Sequence, residues 1–197
     1  MSEGAETLWA VVLGALLATA GGFAATRLEE LFRRRERERE AALLFGEILA
    51  AIELIARFAD NARQRGDPYG AVTMRLMRGI RREVDVYDRD REALYALRDP
   101  VARARIHTLM VRLTMALDGV FDSTSQIAAE GMLANSAGLD EAALAQIAAR
   151  IEALAEVRHT AFDFAMETIA GTPAILAALR PLARHDFNAQ AIVNQDF

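Results

Sequence analysis

Residues 8–40 read LWAVVLGALLATAGGFAATRLEELFRRRERERE, an apolar run from Leu8 to Ala25 that meets a block of arginine and glutamate. Three readings compete for the run: a cleaved export signal, a membrane anchor and a buried core helix. As a helix its 18 residues cover about 27 Å, close to the hydrocarbon thickness of about 30 Å. A soluble core helix carries a polar stripe, whereas the side-chain polar groups here are only the Thr19 hydroxyl and the Trp9 indole. A threonine hydroxyl can bond back to its own helix.

The triplet Ala18-Thr19-Ala20 before Gly21 fits the small-residue pattern of a signal cleavage site. The flanks oppose that reading. The residues after Met1 carry Glu3 and Glu6 and no base, and the basic residues Arg27, Arg33, Arg34, Arg35, Arg37 and Arg39 all follow the run. Positive flanks stay in the cytoplasm. The expectation is a protein of the bacterial inner (plasma) membrane, with a short outer N-terminus and single transmembrane helix over residues 1–26. Trp9 then sits at the outer interface and the C-terminal domain is cytoplasmic. An exported chain cleaved after Ala20 is the reading this displaces.

Within the run, Ala10, Gly14, Ala18 and Gly22 recur every fourth residue and Thr26 continues the series, while the bulky Leu13, Leu16 and Leu17 lie largely off that stripe. Inside lipid, helices gain no hydrophobic free energy from one another, so close approach at small residues is a main source of association. The stripe is expected to be a transmembrane packing face for a homo-oligomer or a transmembrane partner protein.

The composition favours helix throughout. Of 197 residues, 53% are apolar, Gly (12) and Pro (4) are few, and Ala is abundant. The absence of Cys removes disulfides, thiolate metal sites and thiol nucleophiles. All 23 basic residues are Arg and they face 28 acids, a net charge of −5 that argues against nucleic acid as a partner.

Residues 27–40 pattern as a charged helical stalk. Glu29 and Glu30 are spaced to pair with Arg33 and Arg34 at i, i+4, and Arg33 with Glu36, Arg35 with Glu38 and Arg37 with Glu40 at i, i+3. Arg33, Arg34 and Arg35 are the expected contacts to anionic headgroups, an attraction of up to about 1 kcal/mol each that the interleaved glutamates weaken. Leu28, Leu31 and Phe32 are the stalk's large apolar residues and lie beside the bilayer.

Residues 41–185 pattern as a bundle. Leu44, Ile48, Ile52, Ile55, Phe58, Ala59 and Ala62 mark one helical face, which stops at Gly66-Asp67-Pro68. A second helix over about 69–84 uses Val72, Leu76, Ile80 and Val84 and ends near Val86-Tyr87. Asp88 or Asp90 then caps a short helix with Leu94, Tyr95 and Leu97. Asp99-Pro100 starts a long helix to about Ala129 through Ile106, Met110, Leu113, Leu117 and Phe121. After a loop at Gly131 and 135–138, Asp140 caps a helix whose face is Leu144, Ile147, Ile151, Leu154, Phe162, Ala165 and Ile169. Gly171-Thr172-Pro173 ends it and opens a short helix that Pro181 interrupts, and the tail, residues 186–197, is expected to be loosely held. The fold class is thus all-α: a transmembrane helix, a stalk and an antiparallel four-helix bundle.

The chemistry is thin. Glu152, Glu156, His159, Asp163 and Glu167 follow one helical stripe, and Glu156-x-x-His159 has the ligand spacing of di-iron carboxylate bundles. Such a site needs the motif twice, yet Ala104 precedes His107 and Leu182 precedes His185 at that offset, so no metal ligand is assigned; Glu47 and Glu53 are further possible carboxylates. Asp88-Arg89-Asp90-Arg91-Glu92 alternates like a calcium loop but has Ala93 where the turn needs Gly and Asp99 where a bidentate Glu belongs. No phosphate loop or GxSxG occurs, and Asp122-Ser123-Thr124-Ser125 has no evident histidine partner. The expectation is a membrane-anchored interaction or scaffold protein, an accessory subunit, with no catalysis and no cofactor. The alternative is a small-molecule or metal-binding bundle, sensor or enzyme, using the stripe from Glu152 to Glu167.

Overall fold

The computed structural model describes residues 3–66, 68–135 and 140–187; among residues 3–24, side chains are described only at Gly14, Thr19 and residues 21–23. The helices are α1 (Glu3–Arg65), α2 (Ala71–Asp90), α3 (Pro100–Ala134), α4 (Glu141–Ile169) and α5 (Thr172–Ala183), with a 3-10 helix at Arg91–Ala96. Among the described residues there is no strand, so the all-α class holds.

The apolar run, the stalk and the first bundle helix form one α-helix of 63 residues, about 95 Å long at 1.5 Å per residue. Continuity follows from the sequence: no Gly or Pro occurs between Phe23 and Phe45, and Ala, Leu, Glu and Arg fill the interval. Over the stalk, Arg33 pairs with Glu29 and Arg34 with Glu30 at the expected spacing. At i, i+3 the pairs are Arg27 with Glu30 at 3.5 Å and Arg39 with Glu36 at 3.6 Å, in place of the three anticipated. Glu38 turns instead to the bundle, accepting from the Arg98 backbone N–H at 3.1 Å and pairing with Arg98 Nε at 3.3 Å, and Arg39 Nε donates to the Ala183 carbonyl at 3.4 Å. Bundle contacts therefore begin at residue 38.

From there α1 buries Ala42, Phe45, Leu49, Ile52, Ala56 and Ala59. This face is turned by about one residue from the anticipated one: Phe58 is 48% exposed and Leu44 and Ile55 only partly buried. Phe45 meets Tyr87 of α2 edge to face at 5.9 Å, and that aromatic pair helps set the helix rotation. On α2 the buried residues are Thr73, Met74, Met77, Ile80, Val84 and Tyr87, while Val72 is 65% exposed. The helix runs to Asp90, which makes no side-chain cap; the chain passes directly into the 3-10 turn, held by buried Leu94 and Leu97.

Both long helices of the second half start as their caps require. Asp99 accepts from Val101 N at 2.8 Å, with Pro100 in the first turn, and Asp140 accepts from Ala143 N at 2.8 Å. α3 and α4 form an antiparallel hairpin so close that a Cβ on Gly119 would lie 2.9 Å from Ala161 Cβ. α3 continues through Gly131 to Ala134, a turn beyond the anticipated end. α5 passes Pro181 and ends at Ala183, because the missing N–H falls in the last turn, and Arg184 closes it at φ 53°. Beyond it the chain stays attached to Phe187, whose buried ring lies over Gly46 of α1; residues 188–197 lie outside the described ones.

One hydrophobic core joins these elements: α1 packs mainly on α2 and α5, and α3 mainly on α4. Burial on α3 stops at Ser123, and on α4 it is confined to Ile147 until Phe162, so the outer half of the hairpin extends past the core. Among the described residues, Glu141–Ala183 is long and apolar enough by composition to cross a membrane. That stretch is broken at Ala170-Gly171, 44% of its most apolar window is buried, and its Phe162, Ala165 and Leu179 belong to the core.

Candidate functional site

Of the N-terminal packing face, Gly14 and Gly22 are exposed on the helix surface, and a Cβ added at either meets no atom within 4 Å. The side chains of Ala10 and Ala18 lie outside the described ones. Thr26 Oγ1 donates to the Gly22 carbonyl at 3.0 Å, returning its hydroxyl to the helix. Arg33, Arg34 and Arg35 are all exposed; two of them are held by Glu29 and Glu30. Leu28, Leu31 and Phe32 are 55%, 51% and 66% exposed, an unpaired apolar flank next to the run.

The stripe on α4 lands where the far end of α1 meets the α1–α2 connection. Arg63, whose side chain is 17% exposed, enters the stripe and donates to Asp163 Oδ1 at 2.6 Å. Its second amine lies 3.1 Å from His159 Nδ1 and its guanidinium 4.5 Å above the Phe162 ring. A guanidinium only donates, so Nδ1 accepts; in the neutral ring the proton is on Nε2, which faces Asp163 Oδ2 at 3.4 Å. Tyr69, from the connection, brings its hydroxyl to 3.1 Å from the same Nδ1, and Arg158 stacks over its ring at 3.9 Å. Burial raises the Tyr69 hydroxyl's pKa above the usual range, against the opposing pull of Arg63 and Arg158. A cavity of about 430 Å³ opens beside Arg63, Tyr69 and His159.

This arrangement is an ion-pair and hydrogen-bond node that ties three chain segments together. Glu152, Glu156 and Glu167 of the stripe are exposed, Glu167 lying 3.9 Å from Arg112. A cation at the centre of the carboxylates repels a metal ion, and among the described residues no group of three His, Asp or Glu has the placement to hold one. Residues 88–92 are helical, so the calcium-like alternation forms no loop. Ser123 and Thr124 bond their own helix at Gly119 and Val120, which leaves neither hydroxyl next to a base. His107 accepts or donates to Tyr87 at 3.0 Å, and His185 lies against Phe187.

Sequence patterning brought His159 and Asp163 together but missed Arg63 and Tyr69, which sit 96 and 90 residues away from His159 in the chain. Their only local sign was position, just before and after the helix break at Gly66-Asp67-Pro68. No protein family, curated protein or solved structure matches the chain.

Proposed function

We propose that the chain is a single-pass membrane protein of the bacterial inner membrane that presents a cytoplasmic four-helix bundle to a partner, as a scaffold or accessory subunit without catalysis. The observation that carries this reading is the uninterrupted α1, which leads from the apolar run through an ion-paired stalk into the core of the bundle. A tether made of one helix fixes the distance and direction of what it carries, which suits presentation of a surface. The all-arginine flank after Ala25 gives the orientation, N-terminus outside. Exposed Gly14 and Gly22 support the small-residue stripe as the face for a second copy or another transmembrane helix. The stalk arginines Arg33, Arg34 and Arg35 are placed for the inner headgroups.

Fractionation tests the reading. The full chain is expected to stay with membranes after alkaline carbonate, and a chain beginning at residue 27 to be released; release of both would overturn the anchor. In mild detergent the full chain is expected to migrate as a complex that Gly14→Ile with Gly22→Ile abolishes and Leu13→Ile with Leu16→Ile leaves intact. Equal behaviour of the two pairs would reduce the segment to a tether.

A further inference from the structure

A groove of about 650 Å³ runs along α3 from Pro100 to Arg112, walled on the other side by the end of α4 and the start of α5. It begins at the end of the bundle nearest the apolar run, beside the Arg98–Glu38 pair. Its volume falls within the range of small-molecule sites, about 300–1,000 Å³. Val101, Leu109 and Ile175 give it an apolar floor, and Arg105 and Arg112 stand on its α3 side. No Asp or Glu is among the described residues that line it. Arg105 has no ion-pair partner among the described residues, and Arg112 is only loosely held, 3.9 Å from Glu167.

A buried hydroxyl supplies the second observation. Thr168, lining the groove, is 5% exposed, and its Oγ1 is buried without a hydrogen-bond partner. Helical hydroxyls elsewhere in this chain return to their own backbone: Thr114 to Met110 at 2.9 Å and Thr124 to Val120 at 2.7 Å. Leaving a buried hydroxyl unpaired is costly, and a ligand acceptor in the groove would satisfy it.

We propose that this groove binds a long-chain fatty acid, its alkyl chain against Val101, Leu109 and Ile175 and its carboxylate drawn by Arg105 and Arg112. An apolar floor alone would take any hydrocarbon; cations along one side and no lining acid select an anion, and the volume suits one chain rather than the paired chains of a phospholipid. The chemistry is independent of the anchor, so it holds whether or not the chain enters a bilayer.

The test uses the full chain in phosphatidylcholine nanodiscs with a photoreactive palmitate, and the cross-linked peptides are mapped by mass spectrometry. Labelling is expected on peptides covering 100–112 and 168–175. Unlabelled palmitate should compete; inorganic phosphate and lysophosphatidylcholine should not. Arg105→Glu, at an exposed position, is expected to cut labelling at least tenfold, and Ala174→Trp, which fills the groove from its exposed rim, to remove it, both with unchanged circular dichroism. Label confined to residues 8–25, label spread evenly over the chain, or groove label that survives both substitutions would overturn the proposal. Failure of the anchor would show separately, as a chain that never enters the nanodisc, and the same labelling would then be read on the chain in solution.

Discussion

Gly46 shows how far one missing side chain can reach. It lies inside α1, where glycine costs roughly 1 kcal/mol relative to alanine, and the space it leaves is occupied by the ring of Phe187. Gly46→Ala therefore gains helix propensity but displaces a buried phenyl group worth about 1.5–3 kcal/mol, and a net loss of about 1–2 kcal/mol is expected in urea denaturation. In a Phe187→Ala background the same substitution should become stabilising, because the clash is gone while the propensity gain remains. Glu83 offers a second test at this scale. Burial raises its pKa above the usual carboxylate range, so its protonated form is favoured in the fold. That stabilisation is present below the unfolded pKa, about 4.3, and is lost as pH rises through the folded value. Glu83→Gln should raise Tm at pH 7 and leave it nearly unchanged at pH 4. Neither residue was legible in the sequence: nothing local to Gly46 names an aromatic 141 positions later, and Glu83 reads as one more polar residue on an amphipathic helix.

Elements were legible where a local cap or breaker defines them. Asp99-Pro100 and Asp140 start α3 and α4 as read, since capping is a contact within three residues. Helix rotation was not: the faces of α1 and α2 are shifted because Phe45, Leu49 and Tyr87 compete with neighbouring apolar residues for the interior, and that competition is decided between helices. The α3–α4 hairpin is set in the same non-local way, through the contact of Gly119 with Ala161 at 2.9 Å for an added Cβ. Gly119→Leu should force the helices apart and destabilise by about 1–3 kcal/mol, whereas Gly131→Leu, where no atom stands within 4 Å, should be tolerated. Comparable losses at both positions in thermal unfolding would contradict the hairpin geometry.

At the scale of the whole molecule, α1 joins two parts with opposite demands. Its first third is apolar and exposes small residues, its middle is solvated by its own ion pairs, and its last third is core. The sequence made this division readable because each third has one dominant residue class; it could not show that the Arg63 node and the α3–α4 hairpin lie at the end remote from the apolar run, since both depend on how distant helices align. On the proposed orientation that remote end points away from the membrane into the cytoplasm. Reporter fusion at the C-terminus of the full chain tests this most directly. The account predicts that an alkaline phosphatase fusion is inactive and a fluorescent protein fusion bright; an active phosphatase with a dark fluorescent fusion would contradict it.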